Sequence, residues 1–145
     1  MSKLGRYSAD RKKIEDLIAA KTVTVADCGT IFTLNSATEF ATTLPTVADA
    51  GKGWWCEFWV KAAPSGANYT VVTNGSENVI EGNVLATAAG RPADTATAGT
   101  SGDTITFVGS QAVVGDHVRL VCDGTNFWVT GFASGSAAIT LTQAS

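Results

Sequence analysis

Residues 54–62 have the sequence WWCEFWVKA, and this stretch decides the class of fold. Successive side chains of a β-strand point to opposite faces, so the stretch separates into two sets. The apolar set contains Trp54, Cys56, Phe58 and Val60. The other set mixes aromatic and charged side chains: Trp55, Glu57, Trp59 and Lys61. The alternation predicts a β-strand over 54–62 with one face in a hydrophobic core.

A second strand pair is predicted at residues 117–132, HVRLVCDGTNFWVTGF. Residues 117–122 alternate, residues 123–126 form a turn signal, and residues 127–132 alternate again, as in a β-hairpin. Shorter segments predict further strands at 22–25, 30–34, 40–44, 69–73, 78–81, 104–108 and 137–142. About nine or ten short strands with frequent turns predict an all-β fold, either a β-sandwich or a small jelly-roll-like barrel.

The N-terminal residues follow another pattern. Ser8 is a suitable helix N-cap, and Ile14, Leu17 and Ile18 follow at helical spacing. We therefore expect a short α-helix over about 9–20 to precede the β domain.

The distribution of charge also divides the chain, close to the end of the expected helix. The first 21 residues hold six basic and three acidic side chains, a net charge of +3, whereas the remaining residues sum to −6. We accordingly divide the chain into a basic N-terminal arm, residues 1–21, and a single β domain, residues 22–145. A basic arm on an acidic body favours docking on an acidic partner, and a solvated helix face is the alternative.

Residues 86–103, ATAAGRPADTATAGTSGD, lack any apolar period. Loops of this length are uncommon in compact domains and are usually functional. We expect a long loop that orders against a partner.

No catalytic or metal-binding motif is present in the sequence. The single histidine, His117, begins a strand, and its neighbour Asp116 should point to the opposite face, so no triad is expected. Cys28, Cys56 and Cys122 lack paired spacing and are expected to be buried free thiols. We expect no enzyme activity, no cofactor and no metal, with a hydrolase that uses paired carboxylates as an alternative.

The first twenty residues contain no apolar signal core, and no run approaches the roughly 18–20 apolar residues of a membrane span. Tyr7 is the one aromatic residue in the basic arm, and the body is acidic, which disfavours nucleic-acid binding. We therefore expect assembly in a cytoplasm, without membrane or nucleic-acid partners.

Trp55 and Trp59 should share the outward face of their strand. Such a pair favours a core or subunit interface, and a platform on which glycan rings stack is the alternative.

Three segments resemble virion proteins of tailed bacteriophages. The first opens the chain at residues 7–15, YSADRKKIE. The second runs from Leu44-Pro45 through Ala50-Gly51 to the aromatic strand at Trp54, and the third is GDHVRLVCDGTNFW at residues 115–128. The resemblance extends over roughly residues 7–34, 44–60 and 115–132, and head-fibre and tail-fibre modules share its turn patterns.

The resemblance implies a capsid decoration, or cement, protein. Such a protein is non-enzymatic, binds the outer head surface as a homo-oligomer, here expected to be a homotrimer, and stabilises the shell through contacts with the major capsid protein. We expect the capsid contacts to come from the arm: Arg6, Tyr7, Arg11, Lys12, Lys13, Ile14, Leu17 and Ile18. The alternative function is a head-fibre or tail-fibre adhesion module that binds host glycans through Trp55, Trp59 and the 86–103 segment.

Overall fold

The computed structural model describes residues 11–87 and 95–144. This part of the chain forms one helical turn, α1 (Val47–Ala50), and two 3-10 turns, Val25–Asp27 and Asn74–Ser76. It also contains twelve strands: β1 (Lys13–Leu17), β2 (Lys21–Thr22), β3 (Thr30–Leu34), β4 (Ala41–Thr43), β5 (Trp55–Val60), β6 (Tyr69–Val72), β7 (Ile80–Ala86), β8 (Thr95–Gly102), β9 (Thr104–Phe107), β10 (His117–Cys122), β11 (Phe127–Ala133) and β12 (Ile139–Thr142).

The strands form two sheets. The seven-stranded sheet has the order β1-β3-β5-β10-β11-β7-β8, and the five-stranded sheet has the order β12-β9-β6-β4-β2. The all-β, sandwich-like fold expected from the sequence is confirmed, because apolar side chains of both sheets share one core. The expected strands at 54–62 and 117–132 form the centre of the larger sheet, where β10 pairs antiparallel with both β5 and β11.

Aromatic side chains fill the core. Phe32 and Phe58 stack with ring centroids 5.2 Å apart, and Trp54 meets Phe127 edge to face at 6.0 Å. Tyr69 is fully buried, and its hydroxyl donates to the carbonyl oxygen of Ser36 at 2.8 Å. Burial of large aromatic side chains is the largest source of core stability, and a buried phenol needs a hydrogen-bond partner of this kind.

The helix expected over 9–20 is wrong for the described residues. Residues 13–17 form β1, which pairs in parallel with β3 from Lys13 opposite Thr30 to Leu17 opposite Leu34. Leu17 is buried, whereas Ile14 and Ile18 are exposed, so the three side chains do not share one stripe. The open side of β3 supplied backbone partners that outweighed the helical spacing, and residues 13–17 belong to the sandwich rather than to a separate arm.

The loop expected over 86–103 is also wrong where the structure describes it. Ala86 ends β7, and residues 95–102 form β8, an antiparallel partner of β7. The segment lacks an apolar period because it consists of threonine, alanine, glycine and serine, yet the edge of β7 still pairs with its backbone. Residues 88–94 lie outside the described part of the chain. β1 and β8 are the two strands that the sequence does not predict, so the described residues form twelve strands where nine or ten were expected.

Candidate binding surfaces

The outer face of the seven-stranded sheet carries three rows of side chains across β5, β10, β11 and β7. The registers of these strands define the rows. The first aromatic row contains Trp59, His117, Phe132 and Leu85. The polar row contains Glu57, Arg119, Thr130 and Asn83. The second aromatic row contains Trp55, Val121, Trp128 and Glu81. Leu85, Trp128 and Phe132 are each 40 % exposed or more, a large apolar content for a solvent-facing sheet.

The first aromatic row is held by a stacked pair. The rings of Trp59 and His117 are nearly parallel, at 8°, with centroids 3.9 Å apart. Nδ1 of His117 lies 2.9 Å from the carbonyl oxygen of Gly115, and because a carbonyl only accepts, Nδ1 carries the proton of this bond. Nε1 of Trp59 donates to Oε2 of Glu57 at 2.9 Å. These contacts fix both rings and connect the first aromatic row to the polar row.

Trp55 lies in a different environment from Trp59. The Arg119 guanidinium stands 4.9 Å from the centroid of the Trp55 ring, and Nζ of Lys12 stands 5.9 Å from it, both in cation–π geometry. A Cβ on Gly29 would lie 3.6 Å from Cζ2 of Trp55, so the indole packs closely against this glycine. Trp55 and Trp59 share one face as expected, but the polar row separates them by about 13 Å along β5. They do not form one continuous flat platform.

A shallow cavity of about 270 Å³ opens between the first aromatic row and the polar row. Its walls are Glu57, Trp59, His117, Arg119, Thr130 and Phe132, with the backbone of Gly131 between the last two. No sequence pattern marks Glu57, Arg119, Thr130 or Phe132 as a site. Each stands two residues from a member of the adjacent row on its own strand, but only the register between β5, β10 and β11 brings the four together.

A second surface lies at the edge of the seven-stranded sheet. Among the described residues, β1 pairs with β3 alone, so one side of its backbone has no strand beside it. Ile14 is 65 % exposed and Ile18 is 71 % exposed. Exposed Arg11, Lys12 and Lys13 precede them. We call residues 11–18 the β1 edge.

The structure treats the expected arm residues differently from one another. Arg6 and Tyr7 lie outside the described residues. Leu17 is 4 % exposed and packs in the core, so its side chain is not available to a partner and the expectation is corrected for this residue. Alternation along β1 is the reason, since Leu17 points to the face opposite Ile14.

A charged cluster fastens β1 to the body. Nζ of Lys21 lies 2.6 Å from Oε1 of Glu15 and 3.6 Å from Oδ1 of Asp27, and Nζ of Lys13 lies 3.6 Å from the same Asp27 oxygen. Burial raises the pKa of Asp27, but the hydrogen bond from the Thr24 N–H and the nearby ammonium groups outweigh it, so the pKa lies below 3.8. Burial lowers the pKa of Lys21, but Glu15 and Asp27 outweigh it, so the pKa lies above 10.5.

Asp116 has a structural role. It is 2 % exposed, and its carboxylate accepts hydrogen bonds from the N–H groups of Val113 and Ser134 and from the Ser134 hydroxyl. His117 points to the outer face, so the two side chains are separated by the sheet, as the sequence predicts.

Two of the three cysteines are buried. Cys56 and Cys122 lie in the core, and burial raises the pKa of both thiols, for Cys56 well above 9.0. Cys28 is exposed, which corrects the expectation that all three are buried; it follows a 3-10 turn and does not lie on a strand.

Within residues 11–87 and 95–144, no three histidine, cysteine or acidic side chains come close enough to share a metal ion. No helix in the same part of the chain has the length and apolar character needed to cross a membrane. Comparisons of the chain with protein-family models, with curated proteins and with solved structures find no match.

Proposed function

We propose that this chain is a capsid decoration protein, a non-enzymatic virion structural protein that binds the outer surface of a phage head as a homo-oligomer and stabilises the shell. The β1 edge is the single observation that carries the proposal. A strand edge with two exposed isoleucines is a surface that native proteins normally cover, and the basic residues beside it limit non-specific pairing until a partner of complementary charge binds.

The mode of binding follows from the chemistry of this edge. An extended segment of the major capsid protein adds to the side of β1 that faces away from β3 through backbone hydrogen bonds. Ile14 and Ile18 supply apolar anchors, each more than half exposed in the free chain. Arg11, Lys12 and Lys13 steer the chain toward an acidic capsid surface, so association slows as salt concentration rises.

Cosedimentation with undecorated, expanded capsids tests the proposal. The wild-type chain should saturate the capsids at a fixed ratio. The double variant Ile14→Ser and Ile18→Ser should bind at least ten times more weakly, because it removes both anchors from an exposed position. Val114→Ser is the matched control, since Val114 is also 65 % exposed but lies in a turn far along the chain, and it should bind like the wild type.

Point variants are the right tool here because deletion of residues 1–20 would remove β1 and its core residue Leu17 together with the basic segment. A deletion that abolished binding would therefore report on folding as well as docking. Equal binding of the double isoleucine variant and the wild type would overturn the role of the β1 edge, and no saturable binding of the wild type would overturn the decoration function.

Self-association is part of the same proposal. A homotrimer would place three β1 edges around one symmetry axis, so that weak contacts with neighbouring capsid subunits add through effective concentration. Sedimentation equilibrium of the purified chain should give three times the 14.9 kDa chain mass. A monomer at capsid-saturating concentrations would leave the trimer unsupported.

A glycan-binding adhesion module is the second candidate, and the cavity on the outer face of the seven-stranded sheet favours it. In that function the outer face of the seven-stranded sheet would be displayed on the virion and would bind a host polysaccharide.

A further inference from the structure

We propose that the cavity between the first aromatic row and the polar row is a saccharide-binding site that takes one pyranose ring of a neutral glycan. Of the expected pair, the cavity includes Trp59 but not Trp55, and its other residues come from β5, β10 and β11. It holds whether the chain serves on a head or in a fibre, because it depends only on the cavity.

The carboxylate of Glu57 lines the cavity and has hydrogen-bond acceptor capacity that the described residues do not fill. Glu57 is 9 % exposed, and within the described part of the chain its one hydrogen-bond donor is Nε1 of Trp59 at 2.9 Å. No ammonium or guanidinium of the described residues lies within 4.0 Å of it. A carboxylate accepts several hydrogen bonds, so Glu57 can accept more than the one bond from Trp59. A ligand with hydroxyl donors would satisfy it.

Two side chains that can donate hydrogen bonds, those of Arg119 and Thr130, lie in the same row as Glu57. Arg119 lies directly across from Glu57 in the register of β10 with β5, and Thr130 follows in the same row on β11. Arg119 is held by its contact with the Trp55 ring, 4.9 Å from the centroid, so part of the entropy of ordering it is already lost before a ligand arrives. Adjacent hydroxyls of a pyranose both donate and accept, so one can donate to Glu57 while another accepts from Arg119 or Thr130.

Aromatic side chains form the remaining walls of the cavity. Phe132 is 40 % exposed at one side of the cavity, and the stacked rings of Trp59 and His117 form the neighbouring wall. The apolar C–H groups of a pyranose contact these side chains while its hydroxyls remain with the polar row.

Charge selects a neutral ligand. The carboxylate of Glu57 and the guanidinium of Arg119 balance each other, so this pair gives the cavity no net charge that would attract a free ion. The volume of about 270 Å³ lies just below the range of cavities for drug-sized ligands, so the cavity has room for one sugar ring rather than a longer segment.

The test uses the methyl glycosides of glucose, galactose, mannose and N-acetylglucosamine as probes. Saturation-transfer difference NMR and tryptophan fluorescence should detect at least one of them, with a Kd of about 1 mM, as expected for a shallow site that holds one ring. Glu57→Gln should weaken that binding about tenfold, and Phe132→Ala should weaken it about fivefold, because each removes one class of contact.

Trp128→Ala is the matched control. Trp128 is an exposed aromatic residue on the same face, but it lies in the second aromatic row outside the cavity, so its loss should leave the Kd unchanged. Near-ultraviolet circular dichroism checks that each variant is folded, and Phe132→Ala carries the test if Glu57→Gln does not fold.

The absence of binding by all four glycosides at about 50 mM, well above the expected Kd, would overturn the proposal. Binding that survives both Glu57→Gln and Phe132→Ala would also overturn it, because the sugar would then sit elsewhere. Capsid cosedimentation of the same two variants keeps the two proposals separate, since neither residue belongs to the β1 edge and both variants should saturate capsids like the wild type.

Discussion

Replacing Leu17 by alanine is expected to destabilise the chain by about 3 kcal/mol, whereas replacing Ile14 is expected to cost less than about 1 kcal/mol. Both residues lie on β1, and both belong to the apolar stripe of the helix that the sequence predicts. In the structure they point to opposite faces, so the pair distinguishes the strand from the helix.

The magnitudes come from burial. Leu17 is 4 % exposed, and Leu→Ala changes in cores cost about 2.7–5 kcal/mol, with the lower end expected on an edge strand whose neighbours can relax. Ile14 is 65 % exposed, so it buries about a third of a side chain whose full burial is worth about 1.5–3 kcal/mol. The difference between the two variants is therefore about 2 kcal/mol.

Urea unfolding followed by tryptophan fluorescence measures the difference. With an m-value of about 2 kcal/mol per M, the midpoint should fall by about 1.5 M for Leu17→Ala and by less than about 0.5 M for Ile14→Ala. Two variants that agree within about 0.5 kcal/mol would refute the placement of β1 in the sheet, because a detached helix would lose the same small amount at either position.

Two further predictions concern the fold and its pH dependence. Gly82→Ala should cost about 3 kcal/mol or more in thermal unfolding, because Gly82 has φ +127° and an added Cβ would overlap the carbonyl oxygen of Val129 on β11. Gly135→Ala meets nothing within 4 Å and should stay within about 0.5 kcal/mol of wild type; a similar loss in both would contradict the β7–β11 register. Asp27→Asn should lose stability at pH 7, and its deficit should shrink as the pH falls below 3.8, because the lowered pKa makes the carboxylate stabilise the fold only above that range. A loss of stability in Asp27→Asn that does not change between pH 7 and pH 2 would contradict the charged cluster. Lys21 acts in the opposite range, because its raised pKa makes its contribution to stability present below pH 10.5 and lost as the pH rises through that pKa.

The sequence predicts those parts of the fold in which a local pattern matches the tertiary environment. The alternation at residues 54–62 identifies β5 and its buried face, and the two alternating runs at 117–132 identify the β10–β11 hairpin. The period of two is a property of the strand itself, so it is visible without knowledge of any partner.

The same reasoning fails for β1 and β8, since their partners decide their structure. The spacing of Ile14, Leu17 and Ile18 suits a helix, but pairing with β3 buries Leu17 and exposes the two isoleucines. The small residues of β8 carry no apolar period, and the neighbouring strand β7 makes them a strand. Long-range backbone pairing outweighs local preference in both segments.

The sequence by itself determined the all-β class, the inward and outward faces of the central strands and the separation of Asp116 from His117. The tertiary structure alone decided which outward side chains meet. Glu57 and Arg119 are remote in the chain, and only the antiparallel register of β5 with β10 sets them in one row, next to the row that contains Trp59 and Phe132. Side-chain direction has a local period of two residues, whereas register depends on which strands pair and by what offset, and that information lies in the packed core of both sheets.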